Sequence, residues 1–469
     1  MGKLQPVALW LTCSLCVAQT TYADDTPQFI TPEGLAQQHE LPSLDGSSSL
    51  PLNAPAPGTL TLNDAVNRAV TWHPAINEAI GKLAGQSEQV NVAKSKYYPQ
   101  VSAGVNNGYS NSYTDSGFSP SLVLSISQML YDFGKVSSQV RAESAGVAQE
   151  QANVLVSIDN VGHDTATAMV QVQMWQQMVD IAKEQLDALS AVGHLTQQRN
   201  DEGATSMSDV VQTNARIESA RSQLIQYQAN LDSAQATLMS WLGWNNLNGI
   251  SNDFPNKLTK SCDIDKPDDR LVPAVLASWA QASVAQANLD YANAQMTPTI
   301  SLEPQVQHYL NDKYASHEVL DRTQYSAFIK VEMPLYQGGG LTARRNAASH
   351  AVEAAQSGVQ RTRLDIRQKL MESRSQALGL MGAIQVLQRQ EELSAQTREL
   401  YQQQYLGLGS RPLLDVLNAE QEVYQARFAQ QQTLSQLHQL QLNCLYNSGR
   451  LRNAFGLEHR TIQSLEIQP

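Results

Sequence analysis

The chain has 469 residues, of which 42% are hydrophobic and only 6% aromatic, and it carries a formal net charge of −12. This charge, with no concentrated basic stretch, argues against a nucleic-acid partner, because neutralising phosphates requires a basic face. The abundance of Ala, Gln, Ser and Leu instead predicts long helices.

The N-terminus has the features of an export signal. Lys3 precedes an apolar run at 7–17, and the exit Thr21-Tyr22-Ala23 predicts a signal peptide at 1–23. Residues 24–58 are rich in Pro and Ser, which predicts an extended leader. No other stretch approaches the roughly 18 apolar residues of a membrane-spanning helix. We therefore expect a mature chain without a helical anchor.

The rest of the sequence contains an internal repeat of two similar copies. The segment GATSMSDVVQTNARIESAR at 203–221 aligns without a gap with GSRPLLDVLNAEQEVYQAR at 409–427, and LYDFG at 130–134 matches LYQGG at 335–339. Each copy predicts a helix, two strands, a very long helix, a Gly turn and a returning helix. After the leader, the predicted segments are a first repeat at 59–242, an outward equatorial bulge at 243–270, a second repeat at 271–449 and a C-terminal tail at 450–469.

Apolar and polar residues alternate before each long helix, as in Ile300, Leu302 and Val306, which is the period of a strand with one apolar face. Strands of about 10 to 12 residues are long enough to cross a bilayer when tilted. Ordinary hairpins on a soluble sheet are the alternative, although the sequence offers no other strand material to pack against them. The predicted strands lie at about 99–110, 119–131, 298–310 and 322–333.

Four strands cannot close a barrel, and an open edge in lipid would leave backbone groups unpaired. Two copies would give about eight strands with a filled interior, whereas three give about twelve strands and a lumen. The long helices at 135–198 and 340–406 each turn back as coiled-coil hairpins. We expect 135–198 to return as 206–242 and 271–296, and 340–406 to return as 412–448 completed by 60–96.

The predicted fold class is therefore a membrane protein dominated by α-helices, with a β-barrel and two tandem repeats. Each repeat contributes two transmembrane strands and one long helical hairpin. Each chain would supply about four strands and four helical legs, two from each hairpin. A homotrimer would therefore form a 12-strand barrel and a 12-helix tunnel.

MPLYQGG at 333–339 and GLGSRPLLDVLNAEQEVYQAR at 407–427 resemble TolC-type outer-membrane factors, and the resemblance extends from about residue 60 to 449. It implies a trimeric duct in the outer membrane of a Gram-negative bacterium, with a barrel in outer-membrane lipid and a tunnel through the periplasm. The implied partners are a periplasmic adaptor (membrane fusion protein) and an inner-membrane ABC transporter or other efflux pump. QRNDEGATSMSDVVQTNARIE at 198–218 is especially similar to members that serve type I secretion of large adhesins.

The resemblance also implies a periplasmic gate at the hairpin tips, which lie at about 199–210 and 405–416. Asp209 and Arg411 correspond to positions that hold the tips closed, and Asp415 to one that lines the constriction. Three copies of Asp415 would form a carboxylate ring that favours cations. The second acidic ring of related proteins falls on Asn418, which leaves the number of rings open. Ordinary helix capping is the alternative account of the tip residues.

The tips and the strand-to-helix junctions supply the other candidate positions. We expect Gly203, Ser208, Gly409 and Ser410 to contact the adaptor, because the two tips are pseudo-equivalent. At the junctions, Tyr131 and Tyr336 suit a membrane interface, since an aromatic ring with a polar tip is favoured there. In the motifs LYDFG and LYQGG at these junctions, three glycines permit the change of backbone direction, namely Gly134, Gly338 and Gly339.

Cys262 and Cys444 are the cysteines that remain after the signal. Repeat symmetry equates Gly449, just after Cys444, with Gly243, where the bulge containing Cys262 begins. The two should lie at the same height, and an oxidising compartment permits a disulfide. The alternative is that each is a small buried hydrophobe.

The sequence indicates no enzyme, cofactor or metal. GGGLTARR lacks the Lys-Ser/Thr of a phosphate loop, and the cysteines have no zinc-type spacing. The second functional class left open is a periplasmic helical-hairpin adaptor or structural protein that does not span the outer membrane.

Overall fold

The structure is a computed structural model that describes residues 58–110, 117–264, 266–310, 321–458, 460–463 and 465–467. The predicted signal peptide and almost all of the predicted leader lie outside these residues. So do 111–116 and 311–320, which join the strands of each pair.

Long helices and two strand pairs alternate along the described chain. In order, the elements are α1 (Leu62–Trp72), α2 (Pro74–Ser95), β1 (Gln100–Ser110), β2 (Gly117–Tyr131), α3 (Lys135–Asp201), α4 (Met207–Leu242), α5 (Pro273–Ala294), β3 (Thr299–Tyr309), β4 (Thr323–Glu332), α6 (Gly340–Gln403), α7 (Leu413–Asn447), α8 (Leu451–Ala454), β5 (Arg460–Ile462) and β6 (Leu465–Ile467). The fold is thus helix-dominated with a small sheet, and its two halves repeat the same order of elements.

The helix predicted at 60–96 is divided in two at His73. Pro74 has no backbone N–H and takes the first position of α2, where none is needed. His73 ends α1 and caps α2, because the backbone N–H of Ala75 donates to its Nδ1 at 3.3 Å.

The four long strands form one antiparallel sheet in the order β1-β2-β3-β4. Val101 lies opposite Ile126, and Leu302 lies opposite Ile329. These pairs share one face, so the apolar alternation predicted for single strands becomes a continuous apolar surface. Within the described sheet, β1 and β4 are the two edges.

The helices beside the sheet form a layer whose order follows that of the strands. In this layer α2 packs on α3, α3 on α5, and α5 on α6. The expected return of the first long helix as α4 and then α5 is observed, since both pack on α3. The sequence predicts that the first helix, at 60–96, completes the return of 340–406 and so lies beside α6. Within the chain this prediction is wrong, because α2 packs on α3 and not on α6. Thus α2 and α6 are the two edges of this layer.

The largest apolar core lies where α1, α3, α4 and α7 meet, and it includes Met169, Leu238 and Leu442. The residues predicted as a tail belong to this core: α8 and the β5–β6 hairpin bury Phe455 and Ile462 in it. In the described part of the chain, no helix has an apolar stretch long enough to span a membrane.

Candidate functional site

The second hairpin tip is organised around Arg411. The end of α6 widens into a π-type turn at Gln404–Leu408, and Gly409 then reverses the chain at φ 62°. The Arg411 guanidinium donates to Asp415 Oδ2 at 3.0 Å and to Gln404 Oε1 at 3.1 Å, and it lies 4.1 Å from the Tyr401 ring centroid. One cation thus links the last turns of α6 to the first turn of α7.

The first tip is closed by a reciprocal cap. Gly203 turns the chain at φ 75°, and Ser206 Oγ accepts from the backbone N–H of Asp209 at 3.3 Å. Asp209 Oδ2 accepts from Thr205 Oγ1 at 2.5 Å and from the Ser206 backbone N–H at 3.3 Å. These hydrogen bonds, led by that of Thr205, lower the pKa of Asp209. Within the chain, Asp209 and Arg411 therefore bond inside their own tips and not to each other.

Asn418 lies at the contact between the two hairpins, where its Oδ1 accepts from Arg216 Nη2 at 3.3 Å. Arg216 also donates to Gln421, so this first-hairpin cation has two neutral partners on α7. From sequence, Asn418 is notable only because the resemblance implies an acid there. No sequence pattern indicates that this residue faces a cation across the hairpin contact.

A cavity of about 300 Å³ lies between α3, α6 and α7 near the tips. Glu420, 1% exposed, is among its lining residues and has two distant partners: Arg398 Nη1 at 3.4 Å and Gln402 Nε2 at 3.3 Å. Burial raises the pKa of Glu420, and Arg398 opposes the shift. No sequence motif marks Glu420, although it falls in the spacing of the buried α7 residues Val416, Leu417 and Val423.

The two strand-to-helix junctions reverse direction by different means. At the first, Phe133 and Gly134 have φ of 53° and 95°, and at the second Gly338 and Gly339 have φ of 59° and 80°. A non-glycine residue is held at the first because Asp132 accepts from the backbone N–H of Gly134 at 3.0 Å and from that of Val136 at 2.6 Å. This cap is not among the features that the sequence predicts.

Exposed aromatic side chains collect at this level. Tyr131 and Tyr336 are both exposed there, and Tyr97, Tyr98 and Phe133 join them. We call this set the junction aromatics. An exposed aromatic set beside the end of an apolar sheet is typical of a membrane–water interface.

The segment 243–270 is fastened to α7. Cys262 and Cys444 form a disulfide with Cα atoms 5.2 Å apart. Beside it, Ser261 Oγ donates to the Gln441 carbonyl at 2.8 Å, and the Phe254 and His438 rings stack at 3.8 Å. The segment is therefore held covalently and by packing at the height of the end of the last long helix.

The apolar sheet, the junction aromatics and the paired helical hairpins define a subunit of an outer-membrane channel. The chain belongs to the outer membrane efflux protein family, whose model matches residues 65–244 and 271–449, one match in each repeat. The resemblance to TolC-type factors is thereby confirmed. Membership places the chain in the outer membrane of a Gram-negative bacterium.

Several known proteins are similar over most of the chain. Outer membrane efflux protein BepC of Brucella suis is 23% identical over 380 residues, covering 79% of this chain and 81% of the relative. Outer membrane protein TolC of Escherichia coli is 22% identical over 410 residues, covering 82% and 80%. The crystal structure of VceC from Vibrio cholerae superposes with a TM-score of 0.72 at 18% identity, covering 83% of this chain and 96% of that one.

Proposed function

We propose that three copies of the chain form a closed export duct that crosses the outer membrane and extends through the periplasm. The observation that carries the proposal is that the sheet and the helical layer end on the same two sides. Edge strand β1 directly follows edge helix α2, and edge strand β4 directly precedes edge helix α6. One rotation that joins β4 of one copy to β1 of the next therefore also joins α6 to α2.

The uncovered face of α6 supports this closure. Leu364, Met371 and Leu378 recur at seven-residue spacing and are 62%, 60% and 55% exposed. Such spacing is that of a coiled-coil seam, which requires a facing helix. On the opposite edge, Val92 of α2 is also an exposed apolar residue. Packing α6 of one copy against α2 of the next would cover one edge of each.

The strand dimensions suit a barrel in the outer membrane. On β1 the exposed apolar face runs from Val101 to Tyr109, roughly 26 Å along the strand. This matches the apolar band of about 25 Å in outer-membrane barrels. Three copies would supply about twelve strands and an open lumen.

The tips are the proposed docking site for a periplasmic adaptor (membrane fusion protein) and, through it, an inner-membrane ABC transporter or other efflux pump. Gly203, Ser208, Gly409 and Ser410 are all exposed in the chain. The duct acts as a conduit and not as an enzyme. Its proposed cargo is a secreted protein, with a large adhesin favoured by the likeness at 198–218 and small molecules as the alternative.

Assembly is tested by size measurement of the purified chain and by membrane fractionation. Wild type should migrate as a trimer and sediment with the outer membrane. Leu378→Asp should dissociate it, because the charge enters the seam, whereas Gln376→Asp, also exposed on α6 but off the stripe, should not. A monomer in the soluble periplasmic fraction would favour the adaptor alternative, and a trimer unaffected by Leu378→Asp would contradict this seam.

Docking is tested by cysteine crosslinking to the adaptor encoded beside the transporter. Ser410→Cys at the tip should crosslink, whereas Asn256→Cys in the 243–270 segment should crosslink less. Equal crosslinking at both positions would contradict docking at the tips.

A further inference from the structure

Exposed cations stand at the two edges of the helical layer, close to the strands. Lys94 and Lys96 lie at the end of α2, and Arg344 and Arg345 lie in the first two turns of α6. All four side chains are exposed. Since α2 and α6 are the two edge helices, we call these four residues the edge cations.

Among the residues that the structure describes, the edge cations have no carboxylate partner. In the described part of the chain, Lys94, Arg344 and Arg345 make no ion pair, and Lys96 donates only to the neutral Oε1 of Gln139, at 2.6 Å. Elsewhere on the same helices some cations pair with acids, as Lys82 does with Glu78 and Arg389 with Glu392. What distinguishes the junction is that its four cations lie at the two edges that the proposed ring would bring together.

Ring closure would bring the edge cations together, a step that rests on the trimer proposed above. With α6 of one copy against α2 of the next, Lys94 and Lys96 would face Arg344 and Arg345 at each seam. The nearest carboxylate on α2 is Glu88, roughly 9 Å further along the helix and already bonded to Asn91. At the α6 edge, Glu332 ends strand β4, but it is already paired with Lys330 at 2.9 Å. Four like charges near one another repel, so an external anion would stabilise the seam.

The neighbouring aromatics indicate where that anion comes from. Tyr97 and Tyr98 follow Lys96 directly, and Tyr336 lies just before α6; all three are exposed. Tyrosines of this kind mark the headgroup layer of a membrane, so the edge cations fall beside lipid phosphates. Arginine binds phosphate with two parallel hydrogen bonds, and lysine adds a point charge.

We propose that each seam of the trimer binds the headgroup of an anionic phospholipid from the periplasmic leaflet, held by Arg344 and Arg345 of one copy and Lys94 and Lys96 of the next. The lipid phosphate neutralises the seam and joins two protomers. Anionic lipid should therefore stabilise the trimer more than zwitterionic lipid.

The experiment uses the full chain in detergent, with native mass spectrometry to count bound lipids and thermal dissociation to measure trimer stability. Phosphatidylglycerol, phosphatidylcholine and inorganic phosphate are added separately. Arg344→Gln/Arg345→Gln should weaken phosphatidylglycerol binding about thirtyfold, given the usual contribution of each basic residue at an anionic surface. The matched control is Arg367→Gln/Lys369→Gln, which removes two exposed cations of α6 far from the junction.

The outcomes separate this proposal from the trimer itself. A trimer that prefers phosphatidylglycerol, and loses the preference only in the Arg344/Arg345 variant, supports it. A trimer whose preference is unchanged in that variant, or that inorganic phosphate stabilises equally, overturns the lipid site while the duct stands. Absence of a trimer in the same spectra overturns the proposed function and the lipid site with it.

Discussion

Asp159 and Arg452 form a buried ion pair that joins the C-terminal segment to the longest helix. Arg452 Nη1 donates to Asp159 Oδ2, and Arg452 Nη2 donates to the Leu271 carbonyl at 3.1 Å. Asp159 is 2% exposed, and burial raises its pKa to about 6, with Arg452 opposing the shift. A single guanidinium thus connects α3, α8 and the start of the second repeat.

This pair predicts a pH-dependent stability. The pKa of Asp159 in the folded chain lies above its unfolded value of 3.8. Its contribution to the free energy of unfolding is therefore full below about pH 4 and is lost as the pH rises through about 6. Asp159→Asn cannot ionise and should not lose this stability. The difference in unfolding midpoint between the variant and wild type should therefore shift in favour of the variant as the pH rises from 4 to 7. Asp164→Asn, on the same helix but exposed, is the control. A difference from wild type that does not vary with pH would show that Asp159 does not titrate in this range.

His438 should produce the opposite slope. It stacks on Phe254, and burial lowers its pKa from 6.5 to about 4. The contribution of His438 to the free energy of unfolding is therefore full above pH 6.5 and is lost as the pH falls through about 4. His438→Gln should leave the Asp159 slope uncompensated, so that the variant gains stability relative to wild type as the pH falls from about 6.5 to about 4. The double variant with Asp159→Asn should show neither change. Parallel slopes in the two single variants would contradict this opposition.

Two glycines with similar backbone angles should differ in their tolerance of a side chain. A Cβ on Gly449 (φ 72°) would meet the Leu271 carbonyl oxygen at 2.2 Å, whereas one on Gly409 (φ 62°) would meet nothing within 4 Å. Gly409→Ala should cost about 1 kcal/mol, the price of the left-handed conformation alone. Gly449→Ala should cost several times more, because backbone must move. Unfolding midpoints measure both, and equal losses would contradict the clash.

The disulfide between Cys262 and Cys444 should stabilise the protomer, because it closes a loop with a sequence separation of 182. Cys262→Ser/Cys444→Ser should lower the free energy of unfolding by about 2 to 5 kcal/mol. Reductant added to unfolded wild type should reproduce the loss and have no further effect on the variant. Labelling of two free thiols in denatured, unreduced protein would show instead that the bond does not form.

The periplasmic gate that the resemblance implies at the tips predicts an effect on ion selectivity. Asp415→Ala should lower the cation selectivity of single channels and weaken block by divalent cations, because it removes one carboxylate per copy. Asn418→Asp should raise selectivity only modestly, since Arg216 lies 3.3 Å from that side chain and would pair with the new acid. Asp201→Ala, an exposed acid at the other tip, is the control. Equal effects of Asp415→Ala and Asp201→Ala would argue against a ring at Asp415.

Sequence patterns were informative where a period or a repeat constrains the chain. Alternation located β3 near 298–310, and repeat symmetry brought Cys262 and Cys444 to one height. Other features depend on contacts between segments distant in sequence. The Asp132 cap, the Arg216–Asn418 contact and the burial of Phe455 follow from tertiary packing, which a local pattern does not record. The division at His73 was visible in principle, since Pro74 marks a helix start.

The coincidence of sheet and helix edges has a genetic consequence. In the proposed trimer every copy offers one β1–α2 side and one α6–β4 side, so a single defective side breaks the ring. If sound and defective chains were made in equal amounts and mixed at random, only about one ring in eight would contain three sound copies. Lesions at these edges should therefore behave as dominant-negative alleles, whereas lesions that prevent the chain from folding at all should be recessive.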